Sequence, residues 1–290
     1  MKTLLILLAL LISPTLSAKS VFYQPNVSDK VLPITEWQSI FKKMKSSGFD
    51  SLIVQWCEYG PTDFGISDGW LLEVVSSARE HGIKVHMGLY SDPLFFERAR
   101  GTDQEIASYL NAYLIKNLTL LEEILNSTAS QSIDSWYLPA EFDDRYWTSE
   151  TRTRLLAEQL AKWNSAVSAR TQKPWSSSSF FTGWKSPDGY ANWLRQIPYK
   201  FWIQDGSGTR KLTEEQRLLY LDRIDKNRSR LILEAFEQLS SDANFTAKPR
   251  AYKDLQGLER KYESRGFKEV AYFSLRYMPF ADGKLKLPSN

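Results

Sequence analysis

Hydrophobic and polar positions repeat with two periods along this chain. Short runs with a two-residue period alternate with longer runs whose apolar positions are spaced by three and four. The short runs predict strands at 20–25, 51–56, 84–90, 135–142, 174–181, 200–205, 230–236 and 269–277. The longer runs predict helices at 35–47, 69–81, 103–126, 149–170, 188–196, 213–228 and 251–265. Thr35 is placed to cap the first helix, and Gly48, Gly82 and Gly266 to close three of them. Strand and helix in repeated alternation predict an α/β fold, a (β/α)8 TIM barrel, as a single domain over 19–290. The competing fold, an open doubly wound sheet, would want a Gly-rich phosphate loop after the first strand. The lone "GSG" at Gly206 to Gly208 is not such a loop and reads as an ordinary connection.

Alternation along each strand separates a helix-facing set from a barrel-interior set. In 135–142, Trp136, Leu138 and Ala140 suit the helices, which leaves Tyr137, Pro139 and Glu141 inward. In 230–236, Leu231, Leu233 and Ala235 suit the helices, which leaves Ile232, Glu234 and Phe236 inward. The same rule places Gln24, Gln55, His86, Gln204 and Arg276 on the inner face, with Ser177 and Ser179 or their alternates from the serine-rich strand. A barrel interior is ordinarily filled by branched aliphatic side chains, and buried polar groups are costly without partners. A polar ring near the C-terminal strand ends, where barrel active sites lie, therefore suggests chemistry.

Two carboxylates facing each other across a barrel mouth suit glycosidic bond cleavage, which needs one protonated and one ionised carboxyl group. Glu141 is expected to be the general acid, its pKa raised by desolvation and by Asp143 and Asp144 nearby in sequence. Glu234 is expected to be held ionised, as nucleophile, by Arg276 from the neighbouring strand. Trp56, Tyr59, Tyr90, Trp147, Phe181, Trp184 and Phe236 lie at or beyond strand ends and could offer flat apolar faces to sugar rings. Glu58, Asp143 and the inward Gln residues could bond hydroxyl groups, and His86 could bond substrate or Glu141. Trp37, Trp163 and Trp193 fall in helices and read as core.

Other chemistries lack their residues. The two histidines, His81 and His86, form no zinc motif, and no GxSxG elbow is present. No metal and no cofactor are expected. Cys57, the only cysteine, reads as a buried thiol. The net charge of +3 comes from scattered Lys and Arg residues, which argues against a nucleic-acid partner. Lys2 followed by the apolar run Leu4 to Ile12 and small residues at Ser17 and Ala18 reads as a signal peptide over 1–18. The mature chain is then expected in the periplasm or outside the cell, without stable membrane insertion and as a monomer. Asn-linked sequons occur at Asn26, Asn117, Asn126, Asn227 and Asn244.

The segments "YLPAEFD" and "LILEAFE" resemble the fourth and seventh strands of the four/seven clan of (β/α)8 glycosidases. That resemblance implies Glu141 as acid/base and Glu234 as nucleophile, although Ala140 stands where the clan has Asn. With "LIVQWCEYG", Leu52 to Gly60, and "WYLPAEFDD", the chain is more closely similar to the bacterial domain of unknown function 4434. That family implies an exported glycoside-hydrolase-type barrel acting on a carbohydrate, with retention as the expected outcome. A non-catalytic polysaccharide-binding barrel, accessory to polymer synthesis or export, and a lyase or transglycosylase are the alternatives.

Overall fold

The computed structural model describes residues 19–65, 67–239 and 245–287; the expected leader at 1–18 and the sequon at Asn244 lie outside these. Eight parallel strands close into a barrel in sequential order. They are β1 (Lys19–Tyr23), β2 (Phe49–Val54), β3 (Lys84–Gly88), β4 (Ser135–Asp143), β5 (Trp175–Phe180), β6 (Phe201–Gln204), β7 (Ser229–Glu234) and β8 (Val270–Phe273). The outer layer holds α1 (Ile34–Ser46), α2 (Trp70–Glu80), α3 (Asp103–Leu125), α4 (Glu150–Ser168), α5 (Pro187–Gln196), α6 (Glu214–Arg223) and α7 (Tyr252–Glu263). After β8, 3-10 turns at Leu275–Tyr277 and Pro279–Ala281 stand where an eighth helix would pack.

Local chemistry sets most helix ends. Thr102 with Glu105 and Thr213 with Gln216 form reciprocal capping boxes at the starts of α3 and α6. The first helix departs from expectation: Pro33 occupies its N-cap without a side-chain bond, and Thr35 lies inside the first turn. Helix α6 stops at Arg223, short of the expected 228, because Asp225 Oδ1 accepts from Asn227 N at 3.0 Å and turns the chain.

Phe22, Ile53, Tyr137, Trp202, Ile232 and Ala271 fill the barrel interior as one cluster, with Phe273 packed on it. The opposite parity of the same strands, such as Leu52, Trp136, Leu138, Leu231 and Leu233, packs against the helices. Trp37, Trp163 and Trp193 are buried in that outer layer.

The β4–β5 ladder carries an irregularity. Tyr137 pairs with Ser176, but the next pair is Glu141 with Ser178. Pro139 has no N–H to give the ladder, so the strand bulges there by two residues. Two is an even number, so Tyr137 and Glu141 keep the same inward parity. The serines of β5 mend the gap. Ser177 Oγ donates to Leu138 O at 2.9 Å or Ala140 O at 2.8 Å, and Ser178 Oγ lies 3.3 Å from Ala140 O. Ser176 and Ser178 face the interior, where Trp202 Nε1 and Tyr137 OH donate to them at 3.3 and 2.9 Å. Ser177 and Ser179 have the other parity; Ser179 Oγ meets Tyr190 OH of α5 at 2.7 Å.

Candidate active site

Glu141, near the end of β4, and Glu234, the last residue of β7, line one cavity of about 350 Å³. Gln204, Phe96, Phe180, Leu212 and Phe245 contribute to its wall. A second cavity of about 240 Å³ shares Glu141 and Phe96 with the first and is lined by Gln24, Gln55, Trp56 and Tyr59. Glu141 thus stands where two lobes of a cleft meet. The Trp56 and Tyr59 rings lie 4.8 Å apart in the second lobe.

The two carboxyl groups are held differently. Glu141 Oε1 accepts from Gln55 Nε2 at 3.3 Å and Oε2 from Gln204 Nε2 at 3.1 Å. Burial raises its pKa, and these two amide donors oppose the rise. Glu234 takes both of its bonds on one oxygen: Oε2 accepts from Gly208 N at 2.6 Å and Thr209 N at 2.9 Å. Burial, then the charge of Asp205, push Glu234 up to about 7, against the pull of the two N–H groups. The "GSG" segment therefore cradles a carboxylate. Gly208 is required there, since a Cβ would sit 2.6 Å from Phe236 O and 3.0 Å from Glu234 Cβ.

Asp205 follows the last residue of β6 and is fully buried. Its Oδ1 accepts from Ser207 N at 3.0 Å and Glu234 N at 3.2 Å, and its Oδ2 from Tyr262 OH at 2.8 Å. Arg217 Nη1 donates to Asp205 O at 3.2 Å. Asp205 thus ties the glycine loop, the end of β7 and helix α7 together beneath Glu234.

Several residues expected at the mouth are placed elsewhere. Arg276 lies beyond β8 in a 3-10 turn; it donates to Asp29 Oδ2 at 3.1 Å and Gln24 O at 2.6 Å, so it does not hold Glu234 ionised. His86 contacts Ser135 Oγ at the start of β4, far down the strand from Glu141, and is not a partner of that carboxylate. Burial and Arg230 push its pKa down to about 4, so it is neutral at physiological pH. Glu58 pairs with Lys116 at 3.2 Å, and the same ammonium lies 3.5 Å from the Tyr90 ring centre, so α3 occupies both side chains. Trp147 is fully buried against Phe95 and Phe142, 5.9 and 5.1 Å between ring centres. Trp184 is exposed, with the Arg145 guanidinium 4.2 Å from its ring, outside both lobes. Phe236 is buried behind the cleft, backing Phe245 at 5.3 Å. Phe181 does line the first lobe and stacks on Tyr220 at 4.4 Å.

The carboxylates of "EFDD" divide into three roles. Asp143 turns back on its own loop, where Oδ1 accepts from Arg145 N at 2.8 Å and Tyr146 N at 2.5 Å, so it lines neither lobe. Asp144 is fully buried and fastens the next loop. It accepts from Thr182 N, Thr182 Oγ1, Trp184 N and Lys185 N at 2.9 to 3.1 Å. Replacing Asp144 by Ala is expected to cost about 3–5 kcal/mol, read by chemical denaturation, because buried donors lose a charged acceptor. Asn117 is buried as well: Oδ1 accepts from Tyr90 N and Nδ2 donates to Tyr113 O, so that sequon serves the fold. Cys57 is a buried free thiol, its pKa raised by burial.

Asp205, Phe96, Phe180, Phe245 and the amides of Gly208 and Thr209 belong to the site without having been expected from the sequence. The available cue for Asp205 is its place directly before "GSG", since Asp commonly opens such turns with its side chain. Phe180 shares the inward parity of Ser176 and Ser178 on β5, whereas nothing in the pattern marks Phe96 and Phe245.

Comparison with known proteins now adds to this geometry. Residues 19–282 match DUF4434, a domain of unknown function. The chain belongs to the DUF4434 family. Another protein similar to it is the uncharacterized protein YbcH of Escherichia coli (strain K12), 34% identical over 291 residues and covering 97% of each chain. The DUF4434 barrel is similar to the crystal structure of a proposed alpha-L-fucosidase from Bacteroides thetaiotaomicron, with a TM-score of 0.65, 14% identity and 92% of each chain covered. It is also similar to an endo-beta-1,4-mannanase from Thermotoga petrophila, with a TM-score of 0.55 and 12% identity over 89% of this chain and 67% of that one. At such identities the likeness is one of fold: this DUF4434 chain is a TIM barrel. Among the described residues no helix is long and apolar enough to cross a membrane.

Proposed function

We propose that this chain is an exported glycoside hydrolase that cleaves a poly- or oligosaccharide with Glu141 and Glu234 and retains anomeric configuration. The observation that carries this reading is the shared cavity with its two unlike carboxyl groups. The environments support exchanging the roles that the clan resemblance implies. Glu234 is the group pushed to about 7, and its Oε2 already accepts two N–H donors. A proton on Glu234 therefore belongs on Oε1. Each oxygen of Glu141 meets an amide donor, which favours the carboxylate.

In this scheme Glu234 donates its Oε1 proton to the departing glycosidic oxygen while Glu141 bonds to the anomeric carbon. Water, deprotonated by Glu234, then releases the sugar and regenerates Glu141. Trp56 and Tyr59 offer stacking faces, and Gln24 and Gln55 offer hydroxyl partners on one side of the scissile bond.

Incubating purified protein with a panel of polysaccharides and aryl glycosides tests this, with proton NMR reading the anomer first released. The expected result is hydrolysis with retention, lost in Glu141→Gln. Binding without turnover by wild type and Glu141→Gln alike would favour a polysaccharide-binding barrel. Unsaturated or transferred products would favour a lyase or transglycosylase.

A further inference from the structure

Beside the cleft, an open groove of about 840 Å³ runs between α6 and α7 and shares Lys211, Leu212 and Arg217 with the Glu141–Glu234 cavity. Its charge is lopsided. Seven of its lining residues are Lys or Arg and three are Asp or Glu, an excess of four positive charges in one groove. The whole chain carries only +3, so the rest of the molecule is close to balanced. Arg210 is paired with Glu237 at 2.8 Å, and Lys261 with Glu214. Lys211, Lys253 and Arg260 have no carboxylate partner among the described residues.

Two further observations bear on a ligand. The guanidinium groups of Arg217 and Arg250, both in the groove lining, are fixed by bonds to Asp205 O and Tyr262 OH and to Ser207. Two positive charges are therefore held in place at the groove wall. In addition, Gly257 sits in the middle of α7, in the lining, where glycine is destabilising relative to Ala. A Cβ added there would meet nothing within 4 Å, so packing within the chain does not require the glycine. Its effect is a flat helix face between Lys253 and Arg260, open to close approach by something else.

We infer that this groove binds the anionic continuation of the substrate chain, so the glycan has carboxylate-bearing sugars in the positions beyond the cleft. The inference rests on the glycoside hydrolase reading, because continuity with that cleft is what favours an acidic polysaccharide over another polyanion. Positive charge spread along such a groove also raises the local concentration of an acidic chain at the cavity.

The test reads binding, not turnover, by calorimetry with Glu141→Gln protein and polygalacturonate, hyaluronan and alginate, each beside its carboxyl-reduced neutral form. At least one acidic polymer is expected to bind at least about tenfold more tightly than its neutral form, with the difference shrinking as salt is added. Lys253→Glu combined with Arg260→Glu should abolish most of that difference. Gly257→Trp, which fills open space, should weaken the acidic polymers while leaving the melting temperature near the parent value. Equal binding of acidic and neutral forms, a preference untouched by both variants, or duplex DNA bound as tightly as the best polymer would each overturn the inference. An inactive wild type that keeps the charge preference would instead refute the hydrolase reading alone.

Discussion

Glu234→Gln is expected to slow hydrolysis of natural substrates steeply and, at pH 8, to make the protein more stable than wild type. The loss of rate should reach about 10²–10⁴-fold for substrates with poor leaving groups, the range for a positioned general acid. An activated aryl glycoside, which departs with little protonation, should lose much less in its first step. The gain in stability follows from linkage. Burial and Asp205 raise the folded pKa of Glu234 from 4.5 to about 7. The native state then binds the proton more tightly than the unfolded chain, so this contribution is fully present below about 4.5 and is lost as pH rises through 7. A shift of that size corresponds to on the order of 3 kcal/mol. Gln keeps the oxygen that accepts from Gly208 and Thr209 and has no charge to bury. Urea denaturation of both proteins at pH 5 and pH 8 checks this: the variant should gain on wild type only at the higher pH. Equal pH dependence in the two would remove Glu234 as the acid.

Asp205→Ala should be strongly destabilising, while Asp205→Asn should fold and show an altered pH profile. The alanine variant leaves Tyr262 OH, Ser207 N and Glu234 N without their acceptor in a fully buried site. A loss of about 3–5 kcal/mol follows, which lowers the melting temperature by on the order of 10 °C. Asparagine keeps an acceptor oxygen for the two backbone amides but removes the charge that helps raise Glu234. The pKa of Glu234 should therefore fall, and the alkaline limb of kcat/KM should move to lower pH. A purely structural role for Asp205 would change stability and leave that limb where it was.

Much of this architecture was legible from alternation because a barrel strand has only two faces. Ile232 and Glu234 point inward for the same reason that Leu231 and Leu233 point outward. Parity survives even the bulge at Pro139, because two residues are inserted there. It failed where the strand ended sooner than its hydrophobic run. Strand β8 stops at Phe273, so the parity assigned to Arg276 had no strand to act on, and the side chain turned to Asp29. His86 shows a different limit. It does face inward, but parity does not say how far up the barrel a residue lies, and the stagger of the strands sets His86 beside the first residue of β4. Phe96 and Phe245 reach the cleft from segments between strands through contacts far apart in sequence, such as Phe96 with Phe180 of β5 at 5.9 Å, for which the pattern holds no code.

The serine strand has a mechanical consequence. Between Tyr137 and Glu141 the β4–β5 register slips by two residues, and hydroxyl groups of β5 bond the carbonyls of the bulged segment. A hydroxyl can rotate to a new acceptor without moving its strand, whereas a ladder bond cannot. The segment that carries Glu141 is thus stitched by adjustable fasteners on its β5 side.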